Sequence, residues 1–470
     1  MKKKTKIIAT VSDLRCDVDF IKQLYDKGMN AVRLNTAHQS PEDTLKVINN
    51  VRKVSEKIAL ILDTKGPELR TTKAEEKIIL NKGDKLLVKG DPEEKSTKEI
   101  IYVNYSKFVD EVVPGDVILI DDGFIELKIE AKNGDELLCV AMNHGSFSGR
   151  KSVNVPDAQF SLPSLSKKDK DFIEFAIEHD IDFIAHSFVR NKKDVEDVQR
   201  LLDAKDSRIK IIAKIENQEG VDNLDEILEN VYGVMVARGD LAIEIPYEKI
   251  PGIQKMIINK CIVARKPVII ATQMLHSMIK EPRPTRAEVS DIANAIYSKA
   301  DTIMLSGETA FGDYPVEAVE TMAKIAMEVE KSRSDINEVD IKVISTETSA
   351  FLSKTAVEAS IKLDAEAIIA DTSTGRTIRN IAGYRGRKVV YAQCYDKRVM
   401  REMAISFGVY PNFLEPFEIH AFISESLNRL VKKGHLKKTD SVVVLGGNFG
   451  MHHGASFIEI SSVDNLMKNV

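Results

Sequence analysis

Short apolar runs recur along the chain, separated by segments of a different period. The runs are Lys6–Val11, Ala31–Leu34, Ile58–Leu62, Asp182–Ala185, Lys210–Ala213, Gly233–Ala237, Pro267–Ala271 and Thr302–Leu305. Each is strand-length and rich in Val, Ile or Leu, and its hydrophobicity is continuous rather than alternating. That pattern suits a strand buried on both faces, as in a parallel sheet. Segments with a helical period follow most of the runs, among them Asp17–Asp26, Pro41–Ser55, Lys167–Glu178 and Lys192–Asp203. Eight strand–helix units predict an α/β fold of the (β/α)₈ barrel type.

Between the third and fourth runs the rhythm changes. From Glu68 to Phe160 the pattern alternates, as in Asp116–Ile120 and Glu126–Glu130. Turn clusters punctuate it at Asn81-Lys82-Gly83-Asp84, Pro114-Gly115 and Asn133-Gly134-Asp135. Alternation with hairpin chemistry predicts a small all-β domain inserted in a barrel loop. Loops at the C-terminal ends of barrel strands surround the active site, so this insertion is placed to act as a lid.

After Ser332 the polar stretch Ser334–Thr348 reads as a linker to a separate α/β unit. Its strand candidates are Ala367–Ala370, Lys388–Ala392, Ser441–Leu445 and Ser456–Ile460, and its helix candidates Thr348–Lys362, Thr377–Tyr384, Lys397–Ala404 and Ile419–Lys433. The expected domains are a barrel over 1–67 and 161–333, a lid over 68–160 and a C-terminal unit over 345–470.

Charge narrows the partners. Lys+Arg is 67 and Asp+Glu is 72, a net of −5 over 470 residues. No basic excess argues for nucleic acid or an anionic membrane surface. The four cysteines, Cys16, Cys139, Cys261 and Cys394, are too far apart for a metal knuckle or a redox pair, which points to the cytoplasm. The apolar run after Met1-Lys2-Lys3-Lys4 is too short for a signal peptide. The long uncharged stretch Ser441–Ile458 holds four glycines and two histidines, which excludes it as a membrane span.

Each barrel run turns polar at its end. The ends read Thr10; Arg33 and Asn35; Asp63, Thr64 and Lys65; Ser187; Lys214 and Glu216; Arg238 and Asp240; Thr272 and Gln273; Ser306 and Glu308. A barrel gathers them on one face, where cations, carboxylates and hydroxyls suit an anionic substrate held partly through a metal. Lys214 and Glu216 are two apart and point the same way on a strand. Asp240 is expected at the end of the next strand, where its carboxylate can meet that of Glu216. Two carboxylates with open positions suit Mg²⁺ or Mn²⁺, and a lysine beside them can neutralise a transferring group or an enolate. A structural ion-pair network at the barrel end is the competing explanation. In the C-terminal unit, Asp371–Thr377 combines hydroxyls, glycine and a helix start, either a phosphate nest or a capped turn. His452 and His453 are adjacent and make a poor metal pair.

These segments resemble the pyruvate kinase family. The matches are Ala31–His38, Leu62–Arg70, Lys214–Gly220, Met235–Pro246, Ala271–Glu288 and Met304–Pro315, in the family's order. The resemblance implies a barrel, an inserted β lid and a C-terminal α/β domain. It also implies phosphoryl transfer from phosphoenolpyruvate to ADP, giving pyruvate and ATP, in a homotetramer. By matching motifs, Glu216 and Asp240 would hold Mg²⁺ or Mn²⁺, Lys214 would stabilise the transferring phosphoryl and Arg33 would grip the phosphate. Gly239, Asp240 and Thr272 would bind the substrate carboxylate, and Thr272 and Ser306 would sit where the enolate is protonated. Asn35, His38, Arg70 and Lys151 would face the nucleotide.

The family's monovalent cation is held by an Asn, a Ser, an Asp and a Thr carbonyl. Asn35, Asp63 and Thr64 match, but Ala37 stands at the serine position and removes one hydroxyl ligand. Glu68 matches the potassium-dependent branch, so K⁺ dependence is implied. Ala242, Ser152 and His276 also depart from the usual residues without removing a catalytic group. Thr372, Ser373, Thr374, Gly375, Arg376 and Thr377 match the effector phosphate loop. Gly446–Gly450 lacks the basic residue used for a second sugar phosphate, which argues against fructose 1,6-bisphosphate as activator. Two other readings compete: a Mg²⁺-enolate aldolase or lyase, and an inactive regulatory paralogue. A lyase would not need a lid bearing Lys151, nor Arg33 together with Arg70. A dead paralogue would be expected to have lost Lys214, Glu216, Asp240 or Thr272.

Overall fold

Eight parallel strands close into a barrel in the computed structural model, which describes residues 2–37, 39–156, 158–332, 348–415, 421–447 and 454–468. They are Lys6–Thr10, Ala31–Asn35, Ala59–Asp63, Phe183–His186, Lys210–Ile215, Gly233–Ala237, Val268–Ala271 and Thr302–Leu305. Each pairs with its successor in the chain, and the last closes on the first with Lys6 opposite Thr302. All eight apolar runs are strands, because helices cover one face and the barrel interior the other. Residues of one parity fill the interior: Ile8, Ala31, Ile61, Ala185, Ile212, Met235, Ile269 and Met304 form one buried cluster.

The second parity faces the helix ring, and the helices are cut by local signals. Ser40 caps Pro41–Val54 by accepting from Asp43 N, and Ser166 and Asp169 form a reciprocal capping box on Lys167–Glu178. Such caps satisfy backbone donors that a helix start otherwise leaves open.

The insertion after the third strand is all β. A six-stranded sheet runs in the order Val153–Asn154, Val117–Ile120, Ile125–Asn133, Glu136–Ala141, Lys85–Gly90 and Ile100–Val103, with Ile78–Leu80 paired to Gly145–Phe147 beside it. Its alternating residues bury one face around Leu80, Val88, Ile101, Leu127 and Cys139. Of the three turn clusters, Asn133–Asp135 closes a hairpin, with Asn133 opposite Glu136. Asn81–Asp84 instead passes between the two sheets, and Pro114-Gly115 leads into a strand without closing a hairpin.

The C-terminal sheet has the order Val409–Phe413, Val389–Cys394, Ala367–Thr372, Ser441–Gly447 and Ala455–Ser462, the last antiparallel. Val409–Phe413 is an element that periodicity did not reveal, because Pro411 interrupts it. It lies at the sheet edge, where a missing N–H is tolerated. This unit closes the bottom of the barrel: Ala404 and Ile405 join the interior cluster, and Thr302 Oγ1 donates to the Ile405 carbonyl at 2.8 Å. The stretch read as a linker and the His452–His453 pair lie outside the described residues, Thr348 excepted. Among the described residues no helix is long and apolar enough to cross a membrane.

Candidate active site

The parity that buries Ile61, Ala185 and Ile212 carries Asp63, Ser187 and Lys214 to the mouth of the barrel two residues later, with Glu216 beyond. Lys214 Nζ lies 3.1 Å from Asp63 Oδ1, 3.0 Å from Glu216 Oε1 and 2.7 Å from Ser187 Oγ. Arg33 pairs through Nε with the other Asp63 oxygen and reaches Thr10 Oγ1 at 3.3 Å. Burial would lower the Lys214 pKa, but the Asp63 and Glu216 carboxylates outweigh it and hold Lys214 above its ordinary value. Burial likewise opposes charge on Asp63, and Arg33 and Lys214 reverse this and keep its pKa below the usual carboxylate value.

Glu216 is anchored by the Phe188 N–H at 2.7 Å. Phe188 has φ +55, a costly conformation for a bulky residue, and the chain folds around it. Gly66, at φ +74, makes this possible, because a Cβ there would stand 2.8 Å from the Phe188 ring. Gly66→Ala is expected to lower stability by about 1–3 kcal/mol. An unchanged urea midpoint for that variant would contradict the account.

Asp240 does not end a strand. The sixth strand stops at Ala237, and Asp240 sits in the first turn of the helix Arg238–Glu244. Its carboxyl is still near enough to that of Glu216 for the two to shift each other's ionisation. Burial is the main reason that Glu216 is pushed up to about 7; Lys214 opposes the rise and Asp240 adds to it. Asp240 is raised first by burial, against Lys214, and further by Asp122 and Glu68 of the lid. Asn154 Nδ2 of the lid also reaches Glu244 Oε1 at 3.1 Å.

A buried carboxyl group, Glu216, with a half-buried one, Asp240, nearby fits a hard divalent cation that completes its shell with water and substrate oxygens. Among the described residues no group of three or more His, Cys, Asp or Glu could enclose an ion, so a cage of protein ligands alone is not available. With all three carboxyls ionised, Arg33 and Lys214 against Asp63, Glu216 and Asp240 leave one negative charge in excess. A bound dication reverses that sign, which suits an anionic substrate.

A second group forms the opposite wall. Gly239 N donates to Thr272 Oγ1 at 2.8 Å. Thr272 and Gln273 have φ +68 and +53. Left-handed backbone at a β-branched residue costs about 1–3 kcal/mol and persists where its surroundings enforce it. Ser306 begins the short helix Gly307–Ala310. Buried Glu308 accepts from Ser306 N at 2.8 Å and from Leu275 N at 3.0 Å, tying the loops of the seventh and eighth strands together.

Asn35 and Asp63 are partners across adjacent strands. Asn35 Oδ1 accepts from Ala37 N at 3.2 Å, and Thr36 Oγ1 donates to the Asp63 carbonyl at 2.8 Å. The Thr64 carbonyl accepts from Ser187 Oγ at 2.6 Å. Arg70 and Lys151 lie in the lid, paired with Glu68 at 2.7 Å and Asp121 at 3.0 Å. His38 is outside the described residues. In the C-terminal unit, Gly375, at φ +79, begins the helix Arg376–Gly383, and its N–H bonds Thr372 Oγ1 at 2.8 Å. The helix start has no capping side chain, and the loop is separate from the barrel mouth. Ser187, Glu308 and Arg238 stand among the strand-end residues named from the sequence, but only their contacts in three dimensions show what they do. The Glu308–Leu275 and Arg238–Thr272 contacts join residues 33 and 34 positions apart.

A closed parallel barrel with this cluster at its strand ends, beneath an inserted β lid, defines an α/β-barrel enzyme built for a small anionic substrate. The family model "Pyruvate kinase, barrel domain" matches residues 2–319, and "Pyruvate kinase, alpha/beta domain" matches residues 351–461. The chain is 47% identical to the pyruvate kinase of Borreliella burgdorferi, across 99% of this chain and 98% of that one. It is 42% identical to that of Geobacillus stearothermophilus (95% and 78% covered) and 41% identical to that of Clostridium acetobutylicum (94% and 96%). The chain belongs to the pyruvate kinase family.

Proposed function

We propose that this chain transfers the phosphoryl group of phosphoenolpyruvate to ADP at the barrel mouth, as the last step of glycolysis. The P–O bond of the enol phosphate breaks, a bond to a β-phosphate oxygen of ADP forms, and the enolate left behind takes a proton to become pyruvate. The observation that carries the reading is Lys214, a buried ammonium held by Asp63, Glu216 and Ser187 beside the Glu216–Asp240 pair. A fixed cation at this point needs no reorganisation as charge spreads over the transferring group, and such preorganised charge with positioning supplies most of the catalysis of phosphoryl transfer.

Arg33 grips the phosphate with its guanidinium fork. Gly239, Asp240 and Thr272 receive the substrate carboxylate, and Thr272 and Ser306 lie where the enolate gains its proton. Glu216 and Asp240 hold Mg²⁺ or Mn²⁺, which when bound neutralises phosphate charge. Asn35, His38, Arg70 and Lys151 face the nucleotide, the last two brought over the site by the lid. Asn35, Asp63 and the Thr64 carbonyl hold K⁺, with Ala37 contributing no hydroxyl. Thr372, Ser373, Thr374, Gly375, Arg376 and Thr377 form an effector phosphate loop. The division into barrel (1–67 and 161–333), lid (68–160) and C-terminal unit (345–470), a homotetrameric assembly and a cytoplasmic location complete the proposal.

The test is ATP formation from phosphoenolpyruvate and ADP with Mg²⁺, with and without K⁺. Activity is expected with both ions and is expected to fall when K⁺ is omitted. Full activity in potassium-free buffer would refute the monovalent site, and no activity with both ions would refute the reading as a whole.

A further inference from the structure

Arg238 opens the helix that carries Asp240, yet its side chain turns to the neighbouring loop. Its Nη2 donates to the Thr272 carbonyl at 2.7 Å and lies 2.8 Å from Met274 Sδ, and its Nε reaches the Ala271 carbonyl at 3.4 Å. The remaining arm, Nη1, is fixed by Asp291 at 2.7 Å, from the helix Arg286–Tyr297. The guanidinium is therefore spent on the two peptide groups that flank the left-handed turn at Thr272. Next to it in the chain, Gly239 N binds the Thr272 hydroxyl at 2.8 Å. Residues 238 and 239 thus hold both the main chain and the side chain of Thr272.

We propose that Arg238 is a positioning residue for the reaction: it keeps Thr272 in its left-handed backbone so that the hydroxyl stays registered on Gly239. The geometry needs a planar fork. One donor direction serves the carbonyls and another the carboxylate, which a lysine ammonium on a flexible stem does not reproduce. Asp291 orients the fork and supplies the counter-charge. The inference rests on the reading of Thr272 as a substrate ligand, which Thr272→Val tests separately.

Arg238→Lys and Asp291→Asn are assayed beside Thr272→Val. Arg238→Lys is expected to lower kcat roughly 100-fold, the scale of an ångström-sized misplacement. The KM for phosphoenolpyruvate should rise while the KM for ADP stays as in the wild type. Asp291→Asn should give the same pattern, smaller. Guanidinium added below denaturing concentration should restore part of the kcat of Arg238→Ala, which a merely structural role would not allow. If Thr272→Val is impaired and Arg238→Lys and Asp291→Asn keep wild-type kcat, the clamp is wrong. It is also wrong if the Arg238 variants lose thermal stability and both KM values together, without response to guanidinium. Wild-type kinetics in Thr272→Val would remove the underlying reading and the clamp with it.

Discussion

Lys214→Met is expected to lower kcat about a thousandfold, with a much smaller change in the KM for phosphoenolpyruvate. The lysine is held before the reaction by Asp63, Glu216 and Ser187, all within 3.1 Å. Its charge counts most when negative charge spreads in the transition state, and loss of one such preorganised donor costs about 10²–10³ in kcat. The fold should tolerate the change. Burial already raises the Glu216 pKa against the pull of Lys214, so a proton can replace the missing ammonium. Steady-state kinetics and circular dichroism check this together. A folded variant within tenfold of the wild-type kcat would contradict the assigned role.

Arg385→Leu is expected to cost about 3–5 kcal/mol of stability, the range for one partner removed from a buried ion pair. Arg385 and Asp301 are 2% and 3% exposed at the junction of barrel and C-terminal unit. The arginine donates to the carbonyls of Lys299 at 3.0 Å and Ala382 at 2.8 Å, and its Nη2 meets Asp301. Asp301 in turn accepts from Val268 N and Phe407 N, both at 3.0 Å. Burial already raises the Asp301 pKa against the pull of Arg385. Without the arginine, the aspartate must take up a proton or remain an unpaired charge. Thermal unfolding should therefore begin at lower temperature in Arg385→Leu. Asp301→Asn added to it should recover part of the loss, because the charge goes with its partner. No shift in the single variant would contradict this.

Both variants act through contacts of very different legibility. Lys214 and Glu216 were visible because strand parity is a short-range rule: two residues apart means one face. The barrel strands were visible because burial on both faces writes continuous hydrophobicity, and the lid because burial on one face writes alternation. Arg385–Asp301 and Arg238–Thr272 join residues 84 and 34 positions apart, and nothing local marks them. Asp240 was misplaced at a strand end because its helix begins at Arg238 without a capping side chain. Phe188 and Thr272 adopt left-handed backbone without being glycine, so only the tertiary surroundings reveal it. Val409–Phe413 was hidden by Pro411, which an edge strand permits.

The central claim is that the phosphoryl group passes from the enol phosphate to the nucleotide and not to water. Phosphorus NMR of the protein with phosphoenolpyruvate, ADP, Mg²⁺ and K⁺ follows the group directly. The phosphoenolpyruvate signal should fall as the γ-phosphate signal of ATP rises one for one, and Lys214→Met should slow both equally. Loss of phosphoenolpyruvate with growth of inorganic phosphate, or no change in either signal, would contradict the account.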